Sequence, residues 1–240
     1  MILCGGRGGR LQPLTANLPK PLVALNGRPI LQHVIEFYLS QRCREFVLCV
    51  GFRAEMIEAF VEQQQFPARI VMSNAGEEAS MLRRLYEARA SLADRAIVTY
   101  GDTFLNINLQ HLLAAHVAQR VAITMTIADI RSPFGLVAVD EDQRVSAFQE
   151  KPVLPYYIGQ LVLERRVLDE LDPSLLALPD GEGLVRLFQQ LIAQRQLAAY
   201  KHEGLQITFN TLAEREKAEE EMLKFYTAQE QERTHDLAET

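Results

Sequence analysis

Short apolar runs alternate with segments of helical periodicity through the first half of the chain, and this alternation limits the fold more than any other feature. The runs are Ile2 to Cys4, Glu45 to Val50 (EFVLCV), Ala68 to Met72, Ala96 to Tyr100 (AIVTY) and Val121 to Ala128. They are compact and largely continuous, as strands covered on both faces must be. Between them lie helical patterns. One starts at Pro29, a residue suited to a first helical turn because it has no amide hydrogen to leave unpaired, and repeats apolar side chains at Ile30, Val34 and Phe37. Ala54 to Gln64, Glu78 to Leu92 and Asn108 to Gln119 follow. Strands alternating with helices predict an α/β fold: a mostly parallel, Rossmann-like sheet with helices on both faces.

The pattern changes after residue 130. Phe134 to Val139 and Arg144 to Gln149 flank the polar stretch Asp140 to Gln143, which reads as a small antiparallel hairpin. Val153 to Gly159, beside Pro152 and containing Pro155, reads as a loop. Gly181 to Gln194 is an amphipathic helix. From Ala213 the chain is rich in Glu, Lys, Ala and Gln and reads as a solvated helix that frays, compatible with packing against a second copy in a homo-oligomer. No repeat or linker divides residues 1–240, so one domain is expected.

In a parallel α/β sheet, ligands sit beyond the carboxyl ends of the strands. The segment CGGRGGRLQPLTANLPKPL (Cys4 to Leu22) follows the first strand directly. Its glycines allow backbone amides to turn toward an anion and the chain to approach it closely. Neither standard phosphate loop fits. No Gly-Lys-Ser/Thr follows, and the dinucleotide pattern fails at Leu11. Arg10 instead follows the glycines, and Lys20 is held between Pro19 and Pro21, which restrict its backbone. Amides, a guanidinium and an ammonium together suit a polyphosphate. The plain alternative is a glycine-rich surface turn with solvated charges. Asp102 lies one glycine past the strand Ala96 to Tyr100 and is placed to hold Mg²⁺ against phosphates, or else to serve as a cap or turn residue. Phe148-Gln149-Glu150-Lys151-Pro152 sets an acid beside a base. That pair suits a hydroxyl-rich phosphorylated substrate, or is an exposed ion pair.

Composition narrows the partners. Across 240 residues the net charge is −6, which disfavours nucleic acid or an anionic membrane as a partner. No apolar run is long enough to span a bilayer and no signal peptide is evident. The three cysteines, Cys4, Cys43 and Cys49, show no CxxC spacing, which predicts reduced thiols, a cytoplasmic setting and no zinc site. His111 and His116 are five apart and do not share a helical face well.

The opening segment resembles the signature GGxGTRLxPLTxxxPKPL of the sugar-1-phosphate nucleotidylyltransferases. Val98 to Asp102 (VTYGD) is similar to the metal-binding strand end of that family. Phe134-Gly135 and FQEKP are similar to its sugar-binding segments. The resemblance implies attack of a sugar 1-phosphate on a nucleoside triphosphate, with Mg²⁺ as cofactor. It divides the chain into a nucleotide-binding core (1–130), a sugar-binding part (131–212) and a helical tail (213–240). It implies that Gly5, Gly6, Gly8, Gly9, Arg10 and Gly76 bind the nucleotide, that Arg10 and Lys20 act on the reacting phosphates, and that Gly135, Glu150 and Lys151 hold the sugar phosphate. Asn74 to Arg84 (NAGEEASMLRR) and the CGG opening are similar to glucose-1-phosphate cytidylyltransferases, which favours CTP. Thymidylyl-, uridylyl- and guanylyltransferases share the signature.

Three departures stand out. Gly9 replaces the usual Thr or Ser. The second metal carboxylate is missing, with Thr208 or Asn210 in its place according to the alignment, and Asn210 is taken here as the ligand. Tyr157-Ile158-Gly159-Gln160 lacks the usual Asn and glycines of the sugar loop, implying an atypical sugar. Members of the family usually have a few more residues before ILCGG, so a start upstream of Met1 is expected. A catalytically weak or inert nucleotide- or sugar-nucleotide-binding homologue, and an enzyme for a non-sugar phosphate such as phosphocholine, are the alternatives.

Overall fold

The computed structural model describes residues 1–238, and side chains through residue 228. The chain runs β1 (Ile2–Leu3), β2 (Ala24–Leu25), β3 (Arg28–Pro29), α1 (Ile30–Ser40), β4 (Glu45–Val50), α2 (Ala54–Gln64) and β5 (Arg69–Asn74). It continues through α3 (Met81–Ala88), β6 (Arg95–Tyr100), β7 (Thr103–Leu105), α4 (Leu109–Gln119), β8 (Ile123–Arg131) and the hairpin β9 (Leu136–Val139) and β10 (Val145–Gln149). The last part is β11 (Val153–Glu164), α5 (Arg166–Asp169), α6 (Glu182–Ala193), β12 (Leu197–Lys201), β13 (Gln206–Thr208) and α7 (Leu212–Ala238).

Seven strands form the central sheet in the order β12-β8-β11-β6-β1-β4-β5. All are mutually parallel except β11, which runs antiparallel between β6 and β8. Successive side chains point to opposite faces, and the strands divide their apolar residues accordingly. Ile2, Leu48, Val50 and Val162 face α1, α2, α4 and α7. Val47, Cys49, Val98, Leu161 and Leu163 face α3, α5 and α6. The mostly parallel α/β sheet with helices on both faces and a separate antiparallel hairpin is the architecture the sequence pattern predicts. Because β1 is short, the first halves of β4 and β6 have no strand between them. A cavity of about 350 Å³ opens there, where the Met1 ammonium donates to the Ile97 carbonyl.

Three expectations need correction. Val153 to Gly159 is not a loop but the first half of β11, paired with β8 from Val153 beside Arg131 to Tyr157 beside Ile127. Pro155 is tolerated because β11 joins β6 only from Gln160 onward, so at Pro155 one edge is free and no ladder donor is missed. The helix expected from Glu78 begins at Met81, where the Ser80 hydroxyl caps it by accepting the Arg83 amide at 3.2 Å, and it ends in a 3₁₀ turn over Arg89–Ser91. The tail helix is not simply solvated. Ala218 and Met222 are buried, and the Phe225 ring lies 5.2 Å from that of Phe104. These residues recur at helical spacing but are hidden among charges in the sequence. The last two residues of the tail, and any fraying there, lie outside the described residues.

Candidate active site

The carboxyl ends of β1, β4 and β6 sit side by side, and the segments leaving β1 and β6, with the β5–α3 connection, wall a cavity of about 640 Å³. The glycine-rich segment forms one wall. Gly8 adopts a left-handed conformation (φ 61°), and the turn is closed by the Leu11 amide and the Thr15 hydroxyl, both donating to the Gly8 carbonyl, at 3.0 and 2.7 Å. A short 3₁₀ turn, Gly9–Leu11, follows; Leu11 is anchored in the core while Arg10 stays exposed at the cavity. Gly5, Gly6, Gly8 and Gly9 all line the space.

Lys20 forms the floor. Pro19 is extended and Pro21 sits inside the 3₁₀ turn Lys20–Leu22, so the backbone of Lys20 is fixed on both sides. Its side chain is buried, with the ammonium 5.4 Å from the centre of the Phe209 ring. Nζ stands 2.6 Å from Asp102 Oδ2 and donates to Asn210 Oδ1 at 3.2 Å. The two candidate metal ligands thus share one ammonium. Asn210 lines the cavity, whereas Thr208 pairs with Thr103 in the β13–β7 ribbon outside it. Asp102 and Asn210 supply one carboxylate and one neutral amide oxygen, a donor set that suits a hard cation also held by substrate phosphates. Among the described residues no cluster of three His, Cys, Asp or Glu side chains is built for a metal.

The opposite wall comes from the β5–α3 connection. Sequence reasoning assigned no role to Arg84, yet it organises this wall. Its guanidinium is buried and donates to the Val50 carbonyl at 2.7 Å, the Gly5 carbonyl at 3.1 Å and the Glu77 carbonyl at 2.8 Å. It ties together the ends of β1 and β4 and the loop before α3. A Cβ at Gly5 or Gly51 would overlap the guanidinium. Burial away from water lowers the pKa of Arg84 from its ordinary value. A basic residue four places into an amphipathic helix carries no sequence mark of such a role. Arg7 reaches across the mouth to Glu77 and Glu78, at 2.9 and 2.6 Å. Asp180 also lines the cavity, and its Oδ1 accepts the Met81 amide at 2.8 Å. Tyr100 packs edge-on against Tyr157 with ring centres 6.3 Å apart, and burial raises the pKa of both phenols.

The remaining expected site residues lie elsewhere. Gly76 is outside the lining, in a turn with φ 92° closed by its amide donating to Asn74 Oδ1 at 2.9 Å. Gly135, Glu150 and Lys151 gather at the base of the exposed hairpin and do not line the cavity. A Cβ on Gly135 would come 2.7 Å from the Phe148 ring and 3.5 Å from Glu150 Oε2, so the two segments meet. Lys151 Nζ lies 3.9 Å from Glu150 Oε1. The described residues contain no helix long and apolar enough to cross a membrane.

Comparison with known proteins places these features in context. Residues 1–230 match the nucleotidyl transferase family. The chain is 31% identical over 235 residues to a probable glucose-1-phosphate cytidylyltransferase of Bacillus subtilis, covering 88% of this chain and 91% of that one. It is 28% identical over 151 residues to the D-glycero-alpha-D-manno-heptose 1-phosphate guanylyltransferase of Campylobacter jejuni, covering 63% of this chain and 67% of the relative. The crystal structure of HddC from Yersinia pseudotuberculosis complexed with GMP-PN superposes with a TM-score of 0.71 at 19% identity, covering 92% of this chain and 97% of that one.

Proposed function

Because this chain belongs to the nucleotidyl transferase family, we propose that it transfers a nucleotidyl group from a nucleoside triphosphate to a sugar 1-phosphate, releasing pyrophosphate. An oxygen of the sugar phosphate attacks the α-phosphorus, and the bond to the β-phosphate oxygen breaks. Such chemistry depends on positioning and on neutralising charge as the leaving group departs. The observation that carries this reading is the placement of Lys20 against Asp102 and Asn210 at the floor of a glycine-walled cavity.

Backbone amides from Gly5 to Gly9 face the triphosphate, and exposed Arg10 offers a planar fork of donors to its oxygens. The Lys20 ammonium neutralises charge on the reacting phosphates. Asp102 and Asn210 would hold Mg²⁺, which when bound supplies charge neutralisation at the phosphates. Glu150 accepts sugar hydroxyls and Lys151 pairs with the sugar phosphate, from the hairpin base where Gly135 lets the chain approach. CTP is the favoured nucleotide, supported by similarity to the Bacillus subtilis relative and by the Asn74 to Arg84 segment. The free cysteines, two of them buried, support a reducing, cytoplasmic setting.

The test is pyrophosphate release from a panel of nucleoside triphosphates paired with sugar 1-phosphates. CTP with a hexose 1-phosphate is expected to give the highest kcat/KM. No release from any pairing, with nucleotide binding intact, would overturn catalysis. Asn210 motivates the second reading, an inert binding homologue. If the wild type is silent and Asn210→Asp turns over, that reading holds.

A further inference from the structure

Among the described residues nothing covers the β9–β10 hairpin. All four residues of β9 and all five of β10 are exposed. Its register places Val145 opposite Val139 and Phe148 opposite Val137. Residues directly opposite each other share a face, so these four apolar side chains form one continuous face, 49–66% exposed. A solvent face would normally carry polar residues at such positions. A two-stranded hairpin with both outer edges unpaired is marginally stable alone in water.

We infer that this face is the contact between two copies of the chain, paired about a two-fold axis with the hairpins antiparallel. Two observations favour a second copy as the occupant. The first is charge polarity along the hairpin. The tip carries Asp140, Glu141 and Asp142 with one base, Arg144, and is net acidic. At the hairpin base Arg131 and Lys151 outnumber Glu150 and leave one net positive charge, Arg131 Nη1 donating to the Lys151 carbonyl at 3.2 Å and Lys151 Nζ lying 3.9 Å from Glu150 Oε1. In a two-fold contact each patch meets the complementary patch of the other copy. Antiparallel hairpins therefore set the acidic tip of one against the basic foot of the other, twice. The same acidic tip disfavours an anionic lipid surface.

The second observation is area. The four apolar side chains of the face expose on the order of 400 Å². Covering them on both copies removes about 800 Å² of apolar surface, close to the roughly 56–58% non-polar share of a standard interface of about 1,600 Å². The contact also steadies Glu150 and Lys151, which directly follow β10. That consequence rests on the sugar-phosphate role proposed above; the pairing does not.

Sedimentation of the full chain without substrate tests the pairing independently of catalysis. The wild type is expected at twice the chain mass. Phe148→Glu with Val139→Glu should raise the dimer dissociation constant at least tenfold while leaving the far-ultraviolet dichroism unchanged. Glu141→Lys with Asp142→Lys should weaken the dimer, Arg131→Glu should weaken it, and the three together should restore part of the loss. These charge variants leave the apolar face intact. A monomer at every concentration, a dimer indifferent to the face variants, or charge reversals that add without rescue would each overturn the inference.

Discussion

Lys20 and Asp102 are held 2.6 Å apart with Asn210 completing the contact, so the ammonium occupies the space between the two oxygens expected to bind a cation. A divalent ion and the ammonium compete for the same donors. Without nucleotide the wild type should therefore bind Mn²⁺ weakly. Lys20→Met should strengthen that binding about tenfold, a change of about 1.4 kcal/mol. Loss of the free Mn²⁺ signal in electron paramagnetic resonance reads this directly. Equal affinity in both proteins would show that Lys20 does not compete.

Asn210→Asp carries the argument to the missing carboxylate. Hard cations bind anionic oxygens more strongly than neutral ones, so in the presence of nucleotide the variant should need less Mg²⁺ for half-maximal rate, by about tenfold. Thr208→Asp should not, because Thr208 belongs to the β13–β7 ribbon outside the cavity. A Mg²⁺ titration of pyrophosphate release separates the two variants.

Arg84 should be a stability residue as well as a wall. Its removal leaves the carbonyls of Gly5, Val50 and Glu77 without that donor. Losing a buried charged hydrogen-bond partner costs about 3 kcal/mol. Arg84→Met should lower the urea midpoint accordingly. Gly5→Ala should do so through overlap with the same guanidinium. A loss in Arg84→Met no larger than that of an exposed arginine variant would argue against this role.

The α7 contact makes stability depend on pH. His33 Nε2 contacts the Leu25 carbonyl at 3.1 Å and its Nδ1 meets the Tyr226 hydroxyl at 2.9 Å, which fits the neutral ring with its proton on Nε2. Burial lowers the His33 pKa below its ordinary value of 6.5, with Arg28 also lowering it and Glu36 opposing. The unfolded chain then binds the proton first as pH falls. This contribution is complete above about 6.5 and declines as pH drops through 6.5 toward the folded value. His33→Phe should flatten that part of the profile, read as the difference in urea midpoint between wild type and variant across pH 5 to 8. Parallel profiles would remove His33 as the cause.

The fold was legible because burial writes itself into short apolar runs: Glu45–Val50 and Ala54–Gln64 match their predicted bounds. Val153 to Gly159 was misread because proline marks a loop only where both strand edges are paired, and edge pairing is a tertiary fact. The tail misled because Ala218, Met222 and Phe225 are sparse among charges. At the site, glycines and proline-flanked Lys20 advertise themselves. Arg84 and Asp180 do not, since their partners are backbone groups from distant segments. Sequence alone could not tell that Asn210 lines the cavity while Thr208 pairs with Thr103 outside it, because that placement depends on where β13 ends.

Asp180 tests whether the wall can be loosened without touching the phosphate side. Its Oδ1 accepts the first amide of α3, joining two segments 99 residues apart in sequence. Helix amides at that position have no partner within the helix, and Asp or Asn can cap them equally well. Asp180→Ala should therefore cost about 1 kcal/mol, while Asp180→Asn should cost little. Because α3 carries Arg84, which fixes the Gly5 and Glu77 carbonyls, the alanine variant should raise the nucleotide KM several-fold with a smaller change in kcat. The asparagine variant should restore the KM. Equal effects of the two variants would instead place the function of Asp180 in its negative charge, as a direct ligand contact from the cavity wall.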